Sequence, residues 1–304
     1  MDAVTVTTND RAHLEGFLGD ALLRDSFDRV IVVDNASDDG SGELARDAGC
    51  HVVRTPRSGY GGAINAGVRH TRGEFFAVLN PDIRFLAPDT VPRLAHHFMH
   101  EQVGLVSPAL QLLDGSLQDS ARRTPTPLNL IFRRWLGDER GWVRRGGDVE
   151  WTVGAFWLVR RHAWERLRGF DERYFLYFDD VDYCHRLRNA GWTVRFDPTV
   201  RAVHAFGAAS RKPLTAWATR QHIRSAQRFF TENPRYLVDP RPGTIGPPER
   251  RATPRLPERR CAERMWWRVA QAVSGLRLAA PKACTARTVG SNRTVHPALR
   301  RRLQ

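Results

Sequence analysis

Two hydrophobic periods interleave along the first third of the chain. Val4–Thr7, Val30–Val33, Cys50–Arg54 and Phe75–Leu79 are short runs rich in β-branched and apolar residues, and each reads as a strand. Helical spacings lie between them. From about Ala12 to Leu23 the residues Leu14, Phe17, Leu18, Ala21 and Leu22 share one face; a helix runs from the turn-rich Asp34–Gly40 to about Ala48; Ala63–His70 is helical as well. Strands and helices alternating in this way predict an α/β fold with a mainly parallel central sheet and helices on both faces. Ligands of such sheets sit beyond the carboxyl ends of the strands. Polar clusters fall at those ends: Thr7-Thr8-Asn9, Asp34-Asn35 and Asn80-Pro81-Asp82.

The middle of the chain is less regular. Val103–Ser107 reads as a strand, and 111–145 holds turns, prolines and basic residues that suit a long loop. Val149–Val159 is an apolar strand pattern broken at Gly154, and Trp192–Phe196 and Val200–His204 are strand-like. Val181, Cys184 and Leu187 follow helical spacing. The organisation expected is a domain over 1–238 in two halves, about 1–110 and about 111–238. A Pro/Arg-rich linker and an amphipathic helical tail occupy 239–304.

Composition sharpens this in two places. The formal net charge is +14, but residues 239–304 carry 15 basic against 4 acidic residues, leaving the first 238 with 32 against 29. The basicity belongs to a tail, which argues against a nucleic-acid-binding domain. The four cysteines, Cys50, Cys184, Cys261 and Cys284, are scattered without a CxxC pair, which points to a reducing compartment and away from structural zinc. The chain reaches strand by Val4 with no apolar leader, and no run of about 20 apolar residues occurs, so a cytoplasmic protein is expected.

The densest chemistry is Phe175-Leu176-Tyr177-Phe178-Asp179-Asp180-Val181-Asp182. Three carboxylates beside aromatic rings are costly unless hydrogen bonds, cations or chemistry compensate them. Asp179 suits the N-cap of the following helix and Asp182 its first turn, which leaves Asp180 without a structural role and free to act as a general base. Asp82, closing the strand Phe75–Leu79, suits either a turn or a hard divalent cation. Asp34 and Asn35 suit a ribose or base edge, or a loop before a helix. The run Ser58-Gly59-Tyr60-Gly61-Gly62 before Asn65 exposes amides that could approach phosphates, though glycine-rich turns are common. His204, ending a strand, reads as structural or as a ligand.

Taken together and in order, these stretches resemble the inverting family 2 glycosyltransferases of the GT-A fold, especially their bacterial rhamnosyltransferase-like members. The matching segments are Val32–Ser41, Gly59–Gly67, Leu79–Asp82, Asp114-Gly115-Ser116-Leu117-Gln118, Gly169–Asp182 and Ala190–Trp192, spread over roughly Val4 to Arg211. The resemblance implies a nucleotide-diphospho-sugar donor (dTDP- or UDP-linked, with dTDP-rhamnose the first choice) and Mg²⁺ or Mn²⁺. By the same analogy Thr7, Asn9, Asp34, Asn35, Gly62, Asn65, Asn80 and Asp82 bind the nucleotide sugar. Asp82 and His204 hold the metal, Asp180 is the base with Asp179 in the place usually held by Glu, and Trp151, Gly154 and Ala155 shape the sugar and acceptor pocket. Arg122, Arg123, Arg211 and Lys212 are further candidates for phosphate contacts, although solvated surface is the commoner role for any one of them. Thr8 and Arg57 depart from the pattern where an aromatic and an Asn are usual. A transferase of glucose, galactose or N-acetylglucosamine to a small molecule, or a non-catalytic sugar-nucleotide binder, would share these motifs.

The resemblance ends before the tail. Between Cys261 and Ala280, Met265, Val269, Ala272, Val273 and Leu276 share a face bordered by Arg264, Arg268 and Arg277, with Trp266-Trp267 alongside. Such a helix suits an anionic membrane surface, hence a peripheral site at the inner face of the plasma membrane and a lipid-linked glycan acceptor. A helix packed on the main domain, or a disordered tail, suits the segment as well.

Overall fold

The computed structural model describes residues 1–130, 143–205 and 216–238; the expected tail helix, Arg211 and Lys212 lie outside the described residues. Eleven strands are described: β1 (Asp2–Thr7), β2 (Arg29–Asn35), β3 (His51–Thr55), β4 (Phe75–Leu79), β5 (Ile83–Phe85), β6 (Val103–Gln111), β7 (Ala121–Arg122), β8 (Gly147–Val149), β9 (Trp151–Thr152), β10 (Phe156–Arg160) and β11 (Thr193–His204). The helices that matter below are α1 (Arg11–Gly19), α2 (Ala21–Arg24), α3 (Ser41–Asp47), α4 (Tyr60–Val68), α5 (Thr90–Ala95), α6 (Arg161–Leu167), α7 (Asp179–Asn189) and α8 (Ala216–Glu232). The main sheet has the order β3-β2-β1-β4-β10-β6-β11-β5, with β8 beside β11, while β7 and β9 form a separate small sheet. The β3-β2-β1-β4 half is parallel, as is β6 with β11; β10, β5 and β8 run antiparallel to their neighbours.

Both faces of the sheet are covered, and the alternation of strand residues divides the core in two. Val4, Val6, Ile31, Val33, Trp157 and Val159 face one apolar layer; Ala3, Val32, Ala77, Leu79, Phe156 and Leu158 face the other. On α1, Leu14, Phe17 and Leu18 are buried as the spacing predicts. Each contributes roughly 1.5–3 kcal/mol by leaving water.

Three expectations change. The helix expected over Ala12–Leu23 is split at Asp20, whose extended backbone ends α1 and whose carboxylate accepts from Leu23 N (3.2 Å) and Phe85 N (2.9 Å), capping α2 and tying it to β5. The two strand-like runs Trp192–Phe196 and Val200–His204 are one strand, β11, which crosses the Asp197–Arg201 interval by a break in register against β6. The α4 helix also begins three residues before Ala63, at Tyr60. Its glycines permit close approach there: a Cβ on Gly59 would stand 2.6 Å from Phe175 Cα, and one on Gly61 2.8 Å from Phe170 Cβ.

Candidate active site

Pairing in the sheet gathers the site. β10 lies antiparallel beside β4 with Phe156 opposite Leu79, which sets Gly154-Ala155 against the end of β4; Asn80 N donates to Ala155 O at 2.8 Å. The three-residue β5 turns straight back from Asp82 and pairs with β11, His204 opposite Ile83, and Ala205 N donates to Asp82 O at 2.9 Å. Two segments 124 positions apart are thereby joined: Asn80 Nδ2 is 3.3 Å from His204 Nε2, and Asp82 Oδ2 is also 3.3 Å from it. Asp82 and His204 are both buried.

A second arm reaches the same place from α4. The Tyr60 hydroxyl stands 3.0 Å from both Asn80 Oδ1 and Gly154 O, and its phenol is pushed well above its ordinary range by burial and then by the carboxylates of Asp179, Asp180 and Asp82. It is therefore a permanent proton donor. From Gly154 the contacts run on: its N–H donates to Asp180 Oδ2 at 3.3 Å, and Val181 N–H donates to Asp180 Oδ1 at 2.8 Å. Asn80, Tyr60, Gly154 and Asp180 thus form one unbroken series of contacts.

The acidic run does not divide as the sequence suggested. Phe178, not Asp179, holds the N-cap position of α7, with no side-chain cap bond; Asp179, Asp180 and Asp182 all lie in the first turn. Burial, followed by the neighbouring Asp180 charge, pushes the Asp179 carboxyl up to about 8, so it carries a proton at neutral pH. Asp182 accepts from Arg186 Nε at 2.7 Å, one turn along, while Arg186 also donates to Leu167 O and Gly169 O at 3.0 Å each. Asp180 is left half-exposed. The turn that aims it is bought with strain: Tyr177 and Phe178 are both left-handed, φ +65° and +63°, costing of order 1–3 kcal/mol each. Their aromatic neighbours hold them, Phe178 against Phe229 and Phe230, Tyr177 and Phe178 against His222, and Ser225 Oγ donates to Leu176 O at 2.8 Å.

The other expected residues fall into three groups. Thr7 is buried at the end of β1, Asn9 N–H donates to Ser37 Oγ (3.1 Å) and Asn9 Oδ1 accepts from Asp38 N (2.8 Å); Asp34 Oδ1 accepts from Ser37 N (2.8 Å). Asn35 is buried and bonds Thr8 Oγ1, Ser58 O and Ser58 N. Asn9, Asp34 and Asn35 knit the loops after β1, β2 and β3 into one rim, which continues through Ser58 to Tyr60. Asn65, by contrast, points away from it: its amide accepts from Phe170 N (2.9 Å) and donates to Phe170 O (2.9 Å) and Glu172 Oε1 (3.0 Å). A Cβ on Gly62 would make ordinary contacts at 3.6–3.7 Å, so the close approach in this turn is at Gly59 and Gly61. Trp151 sits in the small sheet with its indole N–H on Arg123 O at 2.8 Å, and Arg122 is buried in an ion pair with Asp119 at 2.9 Å.

Two residues here escaped the sequence reading. Tyr60 was visible only as part of a glycine-rich turn. Gln118, whose Oε1 is 2.8 Å from His204 Nδ1, was visible only as the end of Asp114–Gln118. A carboxylate oxygen and an imidazole nitrogen converging at Asp82 and His204 fit a divalent cation of the Mg²⁺ or Mn²⁺ type with its remaining positions open to ligand oxygens. Among the described residues no group of three or more His, Cys, Asp or Glu adds to them.

Comparison with known proteins bears on this geometry. Residues 2–168 match the model of glycosyl transferase family 2. The N-acetylglucosaminyl-diphospho-decaprenol L-rhamnosyltransferase of Mycobacterium tuberculosis is 30% identical over 232 residues, covering 67% of this chain and 75% of that protein. Rhamnosyltransferase WbbL of Escherichia coli is 25% identical over 241 residues, 75% of this chain and 91% of that one. Among solved structures, the mannosyltransferase PcManGT of Pyrobaculum calidifontis, in complex with GDP-Man and Mn²⁺, superposes with a TM-score of 0.54 at 20% identity, over 90% of this chain and 73% of that chain, a likeness of fold.

Proposed function

We propose a specific reaction for a chain that belongs to glycosyl transferase family 2: inverting transfer of L-rhamnose from dTDP-rhamnose to a hydroxyl of a lipid-linked glycan. The contact series Asn80–Tyr60–Gly154–Asp180 carries this reading, because it fixes an acidic general-base candidate against a cation-type Asp82/His204 pair. In the reaction Asp180 takes the proton of the acceptor hydroxyl. The freed oxygen forms a bond to the anomeric carbon from the face opposite the diphosphate, whose bond to that carbon breaks, so configuration inverts. Amide N–H groups of Gly154 and Val181 hold the Asp180 carboxylate in place, and Tyr60 locks Gly154 to the end of β4.

Asp82 and His204 would hold Mg²⁺ or Mn²⁺, which when bound offsets charge on the diphosphate. Mn²⁺ in the PcManGT complex and rhamnose in the names of two relatives support the choice of metal and sugar. The diphospho-decaprenol acceptor of the mycobacterial relative supports a lipid-linked acceptor. The test is transfer from dTDP-rhamnose to an N-acetylglucosaminyl-diphospho-prenol with MnCl₂, with UDP-glucose, UDP-galactose and UDP-N-acetylglucosamine as competing donors. Product is expected with dTDP-rhamnose, and Asp180→Asn is expected to lower turnover about 10²–10⁴-fold. Undiminished turnover in that variant removes Asp180 as the base, and preference for a UDP-hexose removes rhamnose.

A further inference from the structure

The segment Asp114-Gly115-Ser116-Leu117-Gln118 has no part in the reaction as derived above, yet it is built with care. β6 ends in a tight hairpin: Leu112 N donates to Ser116 O (2.8 Å), Gly115 N to Leu112 O (2.9 Å), and Ser116 N and Oγ both to Asp114 Oδ1 (2.9 and 2.6 Å), with Gly115 at φ +79°. The hairpin adds little to the core, since Leu113 is 76% exposed and Leu117 37%. Its returning strand binds Gln118 N to Leu110 O at 2.8 Å, and Leu110 pairs with Ala202 of β11. Gln118 is thus set across the sheet from the end of β11, and its side chain meets His204 Nδ1 at 2.8 Å.

The direction of this bond decides what His204 can do. A neutral imidazole carries one N–H, and a ring nitrogen can ligate a cation only through a lone pair. Gln118 Oε1 is a carbonyl oxygen and can only accept, so a bond at 2.8 Å calls for the proton on Nδ1; Nε2 is then the acceptor, with Asn80 Nδ2 its donor at 3.3 Å. The reverse polarity would put the proton on Nε2, facing Asp82, and block that nitrogen as a ligand.

We propose that Gln118 is a positioning residue: its carbonyl oxygen holds His204 as the Nδ1–H tautomer, so that Nε2 keeps its lone pair, met here by the Asn80 amide and open to a divalent cation beside Asp82 once Asn80 yields it. Outer partners of this kind orient metal-binding histidines and raise their affinity. The inference rests on Asp82 and His204 being the cation pair. It concerns how this chain prepares that pair, whichever sugar is transferred.

The test compares the full chain with Gln118→Leu, which keeps the bulk and loses the acceptor, and Gln118→Glu, which can only accept. Long-range ¹H–¹⁵N spectra of ¹⁵N-histidine protein without metal read the His204 tautomer, assigned by the signal that His204→Gln removes. Mn²⁺ alone, titrated by EPR, reads affinity. Wild type and Gln118→Glu are expected to show Nδ1–H and to bind Mn²⁺ within a few-fold of each other; Gln118→Leu is expected to lose that tautomer and bind about 10–100-fold more weakly. The proposal is overturned if Gln118→Leu keeps the Nδ1–H tautomer or wild-type Mn²⁺ affinity, if Gln118→Glu fails as badly as Gln118→Leu, or if the wild type takes up no Mn²⁺. Wild type that binds Mn²⁺ in the expected order but transfers no sugar would sink the proposed reaction and leave the Gln118 result standing.

Discussion

Asp179→Asn should make the protein more stable relative to wild type as the pH rises, an inversion of what losing a carboxylate usually does. The native carboxyl, pushed up to about 8 by burial and the Asp180 charge, keeps a proton that the unfolded chain releases near 3.8. Between those values the native state binds more protons than the unfolded one, so this group lowers stability progressively as pH increases. At about 1.36 kcal/mol per pH unit, the wild type loses about 3 kcal/mol from this source between pH 5 and 7.5. An amide in the same place has no proton to lose and can still accept the amide N–H bonds of the first helical turn. His185, buried and held down at about 3, works in the opposite direction below pH 6.5, but it is present in both proteins and cancels in the difference. The assay is urea unfolding of wild type and variant at pH 5.0 and 7.5. The variant should gain about 3 kcal/mol on the wild type across that span. A difference that stays constant with pH would refute the reasoning, because Asp179 would then ionise alike in both states.

Three other outcomes follow from the contacts. Asn65→Ala breaks the bonds to Phe170 and Glu172 and should cost about 2–4 kcal/mol in thermal or urea unfolding with little change in nucleotide affinity; weaker nucleotide binding at unchanged stability would mark Asn65 as a ligand contact instead. Arg186→Met strands the buried Asp182 carboxylate and removes two bonds to the Leu167–Gly169 segment. It should cost about 3–5 kcal/mol, part of which Asp182→Asn recovers in the double variant, measured by a double-mutant cycle. Tyr60→Phe deletes only the hydroxyl shared by Asn80 and Gly154; it should cost about 0.5–1.5 kcal/mol of stability and lower kcat by more than that loss accounts for, read by unfolding and transfer assays side by side.

Much of the first half was legible because β1, β2 and β4 are largely buried and their apolar runs are unmistakable, although the edge strand β3 is partly exposed. The split at Asp20 was not, since the apolar face of α1 runs on into α2 across a residue whose cap on Leu23 N is local but whose second bond, to Phe85 N, comes from a strand remote in sequence. The union of Asp82 with His204 depends on β5, three residues long, turning back onto β11, and a strand of that length leaves no pattern to read. Tyr60 and Gln118 were hidden for a different reason: each is carried inward by a turn-forming sequence, and turn chemistry masks the residue it carries. The adjacent pair Asp179-Asp180 shows where sequence reasoning reaches its limit. Neighbours on a helix point about 100° apart, so a dyad at a helix start must send its two carboxyls into different surroundings. Here one is buried, where desolvation and the neighbouring Asp180 charge hold its proton up to about pH 8, and the other meets the Gly154 amide beside the Tyr60–Asn80 arm. Sequence could name the dyad as chemistry but not apportion it, because the environment that separates the two acids is supplied by β4, β10 and α8, none of which lies near them in the chain.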